Sequence, residues 1–208
     1  MKKIFDFLHL RKAGRMIGIF FISFALLMEI AEFILETIEH GFFFEDLFVL
    51  AFELLVCSFI IFSLCKKNIK LLEIAIVILK TFEGTYYPLR SAQRLDSLLH
   101  NPTTTTFDIV NHIFFACSAF FMVIALIVYS IHKLNGRMIF WNIMKLLILI
   151  ASVLMLASTI MYAIDFAHCT VWFEIFEPIS LMMMFFGVYG TCEYIEGELH
   201  REKKANLA

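Results

Sequence analysis

Proline, glycine and charged residues are scarce in this chain. Among 208 residues there are three Pro and eight Gly, and Asp, Glu, Lys and Arg together make up 17%. Long apolar runs are therefore rarely interrupted. The net charge of -2 and the absence of a long basic tract give no indication of a nucleic-acid partner.

Several functional motifs are absent as well. The chain has no Walker A sequence, no Gly-x-Ser-x-Gly, no potassium-filter sequence and no arginine-rich span suited to voltage sensing. No set of catalytic residues is predicted. The five cysteines fall mostly inside apolar runs, where they are expected to be small buried hydrophobes without an intrachain disulfide: Cys57, Cys65, Cys117, Cys169 and Cys192.

What the chain has in abundance is apolar surface. Hydrophobic residues make up 61% of it, and the mean hydropathy is +0.85, far above the range of soluble domains. Such a chain needs lipid as its solvent, and apolar runs of about 20 residues are long enough to cross a bilayer as helices. The alternating pattern of a β-barrel is missing. The predicted class is therefore an all-α, polytopic membrane helix bundle.

The apolar runs predict a single domain of six membrane-spanning helices over residues 16–194. The third run is the weakest, because Glu73, Lys80 and Glu83 interrupt it. Residues 1–15 are predicted to form an interfacial segment and residues 195–208 a tail. The six spans are placed near residues 16–38, 42–64, 69–87, 108–131, 138–163 and 171–194.

The distribution of positive charge predicts the orientation of these spans. Thirteen of the 17 Lys and Arg lie in the two tails and in the loops after the second and fourth spans, and only Arg90 and Arg94 lie on the opposite side. Because cytoplasmic loops carry the excess of Lys and Arg, both termini are expected in the cytoplasm, with the protein in a plasma (inner) membrane. Tyr86, Tyr87 and Pro88 are predicted to end the third span. Thr105 and Asp108 resemble a capping box that opens the fourth.

Carboxylates within the membrane are the most informative residues, because a charge at the centre of a span costs about 2.5 to 3.5 kcal/mol. Glu29, Glu32, Glu36 and Glu39 are spaced three, four and three residues apart, which places them on one face of the first helix. Glu36 and Glu39 should lie near the membrane boundary. Glu29 should lie about 10 Å deeper, so it needs a partner or a function.

Tight turns should bring Glu29, Glu53 and Lys80 to one level. Glu29 and Glu53 each lie twelve residues from Gly41, and Glu53 and Lys80 are nearly equidistant from the second turn. One interpretation is a structural Glu53–Lys80 ion pair beside a protonated Glu29. The other is a proton-linked or cation-binding site, in which Lys80 holds one carboxylate charged while the other exchanges its ligand.

Two further groups are candidates at the opposite end from the termini. Glu32 and Glu177 are predicted to belong to the same ion or proton site as Glu29, Glu53 and Lys80. Glu177 is included because Pro178, which follows it, would free a backbone carbonyl inside the span. His112, Asp165 and His168 could supply ligands to Zn or Fe. The alternative for this second group is ordinary surface residues, since the spacing matches no metal motif.

The leading functional hypothesis is proton- or cation-linked transport or conduction through an acidic cavity. One alternative is a non-catalytic membrane subunit, sensor or assembly factor, and another is an outer-leaflet metal-dependent enzyme. The expected cofactor is a cation or divalent metal. The expected partners are the lipid bilayer and either a second copy of the chain or a partner membrane subunit.

Overall fold

The computed structural model describes residues 13–100, 105–165 and 175–205, and nearly all of these residues are helical. The predicted all-α class is confirmed. The predicted interfacial segment at residues 1–15 lies almost entirely outside the described residues. The six helices are α1 (Gly14–His40), α2 (Phe44–Lys66), α3 (Ile69–His100), α4 (Thr106–Asn135), α5 (Met138–Asp165) and α6 (Phe176–Ala205).

Four of the helices are long and apolar enough to cross a membrane: α1, α2 from Asp46, α4, and α5 as far as Ile164. This is the composition of a multi-pass membrane protein. Helices α3 and α6 are also long, with 32 and 30 residues, but they carry more charged side chains.

Short turns join most of the consecutive helices. Gly41 follows α1 with φ 88°, Lys67 follows α2 in the left-handed conformation, and Gly136 follows α4 with φ 64°. A residue of positive φ after the last helical turn is a common helix stop, because its N–H can bond a carbonyl left free at the helix end. The turns lie where the sequence predicted them, and they make the joined helices antiparallel.

The predicted capping box at the start of α4 is confirmed. The Thr105 hydroxyl accepts a hydrogen bond from the Asp108 N–H at 3.2 Å, and the Asp108 carboxylate accepts one from the Thr105 N–H at 2.8 Å. Both bonds satisfy donors that a helix start otherwise leaves without partners. The Asp108 carboxylate therefore caps the start of its own helix, α4.

The helix break predicted at Pro88 is wrong, because α3 continues through this residue to His100; the predicted membrane boundary of the third span stays a prediction. Proline removes one backbone donor from a helix and crowds the carbonyl four residues earlier, so its presence inside α3 needs support from neighbouring helices. Contacts on both sides hold the helix in place. The Tyr87 hydroxyl bonds Glu53, and the ring Nε2 of His112 donates to the Ser91 carbonyl at 2.8 Å.

Helix α6 forms the centre of the bundle. Helices α1 to α5 pack each against the next, and α6 packs against both α1 and α5. Its other faces contact α2 and α3: Met184 contacts Cys57 of α2, and the Phe185 ring lies beneath Lys80 of α3. No described side chain from Phe176 to Glu198 is exposed. A helix surrounded by protein can carry charged residues that a lipid-facing helix could not.

Four glycines bring α1 and α6 into backbone contact. A Cβ atom at Gly14 would lie 2.6 Å from the Gly190 carbonyl oxygen, and one at Gly190 would lie 2.7 Å from Ile17 Cγ2. Gly18 and Gly187 are similarly crowded. Small residues at such crossings are typical of helix packing in membranes, where backbones must approach closely to gain van der Waals contact.

Candidate functional site

A cleft between α1 and α2 collects the acidic residues of the first helix. Its volume is about 40 Å³. All three α1 carboxylates in it are partly buried, whereas Glu39 is exposed. We call it the acidic cleft, and its polar lining consists of Glu29, Glu32, Glu36, Asp46 and Tyr86. The one-face spacing predicted from the sequence thus brings three carboxylates to one opening, where a fourth from α2 joins them.

Glu53 lies one helical turn beyond the acidic cleft. Its side chain is 1% exposed, and Leu50, three residues earlier on α2, lines the cleft. The Tyr87 hydroxyl donates a hydrogen bond to Glu53 Oε1 at 3.0 Å. Tyr86, the preceding residue, lines the cleft itself. A buried carboxylate with a hydroxyl partner therefore lies directly beneath a group of acids.

Lys80 is also buried, with 6% of its surface exposed, and its ammonium lies 4.7 Å from the centre of the Phe185 ring. It lines a second cavity, of about 30 Å³, which is enclosed by α3, α4, α5 and α6. We call this the Lys80 cavity. Glu73, Tyr129, Trp141 and Cys192 also line it. Lys80 thus faces a different opening from the one above Glu53.

The direction of side chains on helices explains this arrangement. Side chains tilt toward the N-terminus of their own helix. Since α2 and α3 are antiparallel, Glu53 leans toward the acidic cleft and Lys80 leans toward the opposite end of the bundle. Tyr87, two turns further along α3, leans back to meet Glu53. Counting residues from the turn predicted that Glu53 and Lys80 lie at one level, but it did not predict the contact of Tyr87 with Glu53. The direct Glu53–Lys80 pair stays a prediction.

A second group of buried charges was missed by the sequence reasoning. Lys145 of α5 donates to Glu193 at 2.7 Å and to Glu196 at 2.5 Å, and the Trp141 indole donates to Glu196 at 3.3 Å. All three charged side chains are buried. We call these four residues the Lys145 cluster. The same counting from a turn could have found it, because Lys145 and Glu193 lie at similar distances from the connection between α5 and α6.

The other predicted site residues either line neither the acidic cleft nor the Lys80 cavity or lie outside the described residues. Glu177 is buried in the first turn of α6, with Pro178 beside it, so Pro178 does not interrupt the described part of α6. His112 is buried against Ser91. The Asp165 side chain and all of His168 lie outside what the structure describes. No group of three His, Cys, Asp or Glu suited to a metal occurs among the described residues, and the predicted metal set remains untested.

No family model, curated protein or solved structure matches the chain. Function must therefore be inferred from the geometry of its own side chains. That geometry has three parts: the acidic cleft, the buried Glu53–Tyr87 pair, and Lys80 at its cavity.

Proposed function

We propose that this protein carries out proton- or cation-linked transport across a membrane, with Glu53 as the residue that exchanges the ion. The observation that carries the proposal is the position of this buried carboxylate. It is buried one helical turn beyond the acidic cleft, and Lys80, on the next helix, lines the second cavity. Ionisable side chains are thus present at both openings and in the interior.

The chemistry of each part supports this role. Clustered carboxylates at an opening raise the local concentration of cations, including protons. Tyr87 can both donate and accept a hydrogen bond, so it can hold Glu53 in either protonation state. Lys80 supplies a positive charge further inside. Burying such groups brings little stability, because well-packed hydrophobic residues in their place are often neutral or stabilising. A functional reason for keeping them is the better explanation.

The alternative with support in the structure is a non-catalytic membrane subunit, sensor or assembly factor. The Lys145 cluster favours it, because its charges are paired with one another inside the protein, as a structural network requires. A subunit of this kind would copurify with a partner and would be unstable without it. Stable isolation of the chain by itself would count against this alternative.

Ion flux in liposomes tests the transport proposal. Purified protein is reconstituted with a pH-sensitive dye inside, and either a proton gradient or a sodium gradient is imposed. We expect flux above that of empty liposomes, and a loss of at least about tenfold in Glu53→Gln, because the amide cannot take up a proton or bind a cation as a carboxylate does. Glu39→Gln, at an exposed position, is the matched control and should retain flux. Absence of flux in the parent under both gradients would contradict the proposal.

We further propose that all six helices span a plasma (inner) membrane, with both termini in the cytoplasm. The charge bias supports this orientation, and the central position of α6 explains how a more polar helix can cross. Cysteine labelling with a membrane-impermeant maleimide on intact cells provides the test. With native cysteines replaced by serine, Phe43→Cys should label from outside, whereas Leu134→Cys should label only after the cells are opened. Equal labelling of both positions on intact cells would contradict six spans.

A further inference from the structure

An open apolar groove runs along one face of α2. Its volume is about 630 Å³, and no other described helix lines it. The lining residues follow helical spacings of three and four, so they lie on one side of the helix: Ala51, Leu54, Leu55, Ser58, Phe59 and Phe62. All but Leu54 are exposed. We call this the α2 groove, and its side chains leave an apolar surface for a molecule from the membrane.

The dimensions of the α2 groove match one leaflet of a bilayer. Phe62 comes eleven residues after Ala51, which corresponds to about 16 Å along the helix axis. Half of a hydrocarbon core of about 30 Å has nearly the same depth. Ala51 and Ser58 are small and lie among larger side chains, so the groove is a channel along the helix. A single lipid acyl chain fits this shape.

Three lysines lie at one end of the α2 groove. Lys66 comes one helical turn after Phe62, and its Nζ lies 5.9 Å from the centre of the Phe62 ring. Lys67 follows α2, and Lys70 lies in the first turn of α3. All three are exposed, and none of them forms an ion pair with a carboxylate of a described residue. The apolar groove therefore ends at a group of positive charges.

The turn between α2 and α3 holds these lysines in place. The Asn68 N–H donates to the Ser63 carbonyl at 3.0 Å and the Lys67 N–H donates to the Leu64 carbonyl at 3.3 Å, the pattern of a Schellman motif. The Asn68 side chain accepts a hydrogen bond from the Leu71 N–H at 3.1 Å, which caps the start of α3. Because the backbone is fixed on both sides of the turn, the positive group is already formed before a ligand arrives.

A second copy of the chain suits this surface less well than a lipid does. In a twofold-symmetric dimer the same patch of both subunits meets itself. Two copies with the same orientation in one membrane would bring both sets of three lysines to the same end of the interface, where like charges repel each other. The groove and the lysines instead complement a molecule with an apolar chain and a negative headgroup.

We propose that the α2 groove binds an anionic phospholipid, with the phosphate at Lys66, Lys67 and Lys70 and one acyl chain along α2 toward Ala51. Lysine stems can lie along apolar surface while their ammonium groups reach the headgroup, and each lysine near the membrane surface strengthens the attraction of anionic lipid about fivefold. The inference goes beyond ion transport, because neither Glu53 nor the acidic cleft takes part.

Native mass spectrometry of the purified protein in detergent tests the site, because it counts bound lipids and protein chains together. The protein is titrated with palmitoyl-oleoyl phosphatidylglycerol and, separately, with the phosphatidylcholine of the same chains, whose choline offsets the phosphate charge. The parent should bind phosphatidylglycerol at least about fivefold more tightly. Equal binding of the two lipids would overturn the inference.

A double variant tests the contribution of the lysines. Lys66→Gln with Lys70→Gln should lower the affinity for phosphatidylglycerol at least about fivefold. Lys133→Gln with Arg137→Gln is the matched control. It removes two positive charges from the same end of the bundle, where Lys133 contacts Glu73 of α3, but it leaves the end of the groove unchanged. The control should retain the affinity of the parent.

A second variant tests the groove without changing a charge. Ser58→Trp fills the channel and should weaken phosphatidylglycerol binding at least about threefold, because the acyl chain loses its contact with α2. Ser130→Trp is the control, since it makes the same change at an exposed position of α4, where the hydroxyl bonds only the Leu126 carbonyl of its own helix. Its binding should equal that of the parent.

Each other outcome has a definite meaning. A preference for phosphatidylglycerol that survives the lysine double variant would place the headgroup elsewhere and overturn the inference. A preference unchanged in Ser58→Trp would show attraction by surface charge alone, without the groove, and would also overturn it. So would a parent dimer that Ser58→Trp converts to monomers, because a second copy would then occupy this face. Lipid binding at the groove in a protein without ion flux would support the site and contradict only the proposed transport function.

Discussion

Gly190→Ala is expected to destabilise the folded protein by about 1 to 3 kcal/mol, the usual cost of overpacking a well-packed interface. The added methyl group would lie 2.7 Å from Ile17 Cγ2 and 3.1 Å from both the Gly14 carbonyl oxygen and the Gly18 nitrogen. Two of these three neighbours are backbone atoms, so the contact is relieved only if α1 and α6 move apart. Unfolding by a denaturing detergent, followed by tryptophan fluorescence, measures the change.

Gly84→Ala is the matched control for this substitution. The nearest atoms to a Cβ at Gly84 are side-chain atoms of Val123 and Leu126, at 3.7 and 3.9 Å, which are ordinary contact distances. Since alanine favours a helix over glycine by about 0.5 to 1 kcal/mol, this variant should be as stable as the parent or slightly more so. Equal effects of the two substitutions would contradict the close packing of α1 on α6.

Lys145→Met should have a still larger effect, a loss of about 3 to 5 kcal/mol, the cost typical of removing one partner from a buried ion pair. Lys145 is 5% exposed, and it pairs with both Glu193 and Glu196. Without it, two carboxylates would remain in the protein interior and would have to take up protons or admit water. The same unfolding measurement applies.

Lys133→Met provides the comparison for Lys145→Met, because it makes the same change of side chain at a partly exposed pair. Lys133 contacts Glu73 at 2.6 Å, but 46% of its side chain is exposed. Water screens such a pair, and its loss should cost no more than about 1 kcal/mol. If Lys145→Met proved no more harmful than Lys133→Met, the Lys145 cluster would not be the buried network that the structure shows.

Much of the fold could be predicted because it depends on local pattern. Apolar runs of sufficient length predicted the helices, and the turn residues at Gly41, Lys67 and Gly136 follow from short-range chemistry. The capping box at Thr105 is a signal of only four residues. The acidic face of α1 follows from helix periodicity alone, since spacings of three and four place side chains on the same side.

What could not be predicted depends on contacts between distant helices. The continuation of α3 past Pro88 is held by contacts with α2 and α4, which no local signal reveals. The central position of α6 is likewise a result of packing between helices. It explains why α6 can carry Glu193 and Glu196. The contact of Tyr87 with Glu53 depends on the tilt of side chains on antiparallel helices, which a count of residues from a turn ignores.

The charged residues of the interior fall into two kinds. In the Lys145 cluster, the charges bond one another and a tryptophan, and a structural role accounts for them. Trp141 of this cluster lines the Lys80 cavity, but the three charged side chains of the cluster line neither that cavity nor the acidic cleft; Lys80 lines its cavity, and Glu53 lies one helical turn beyond the acidic cleft. This difference is the basis for placing ion exchange at Glu53 and not at the Lys145 cluster.

The most direct test of that claim is ion flux through the double variant Glu53→Gln, Lys80→Met, measured beside its stability. The sequence predicts that Lys80 pairs with Glu53, and on that prediction Lys80→Met alone should destabilise more than the double variant does, because a buried carboxylate would lose its positive partner. If Glu53 exchanges the transported ion, the double variant should recover stability but no flux, since the exchanging carboxylate is gone. Recovery of flux together with stability would show that the two residues are only a structural pair, and would contradict the proposed function.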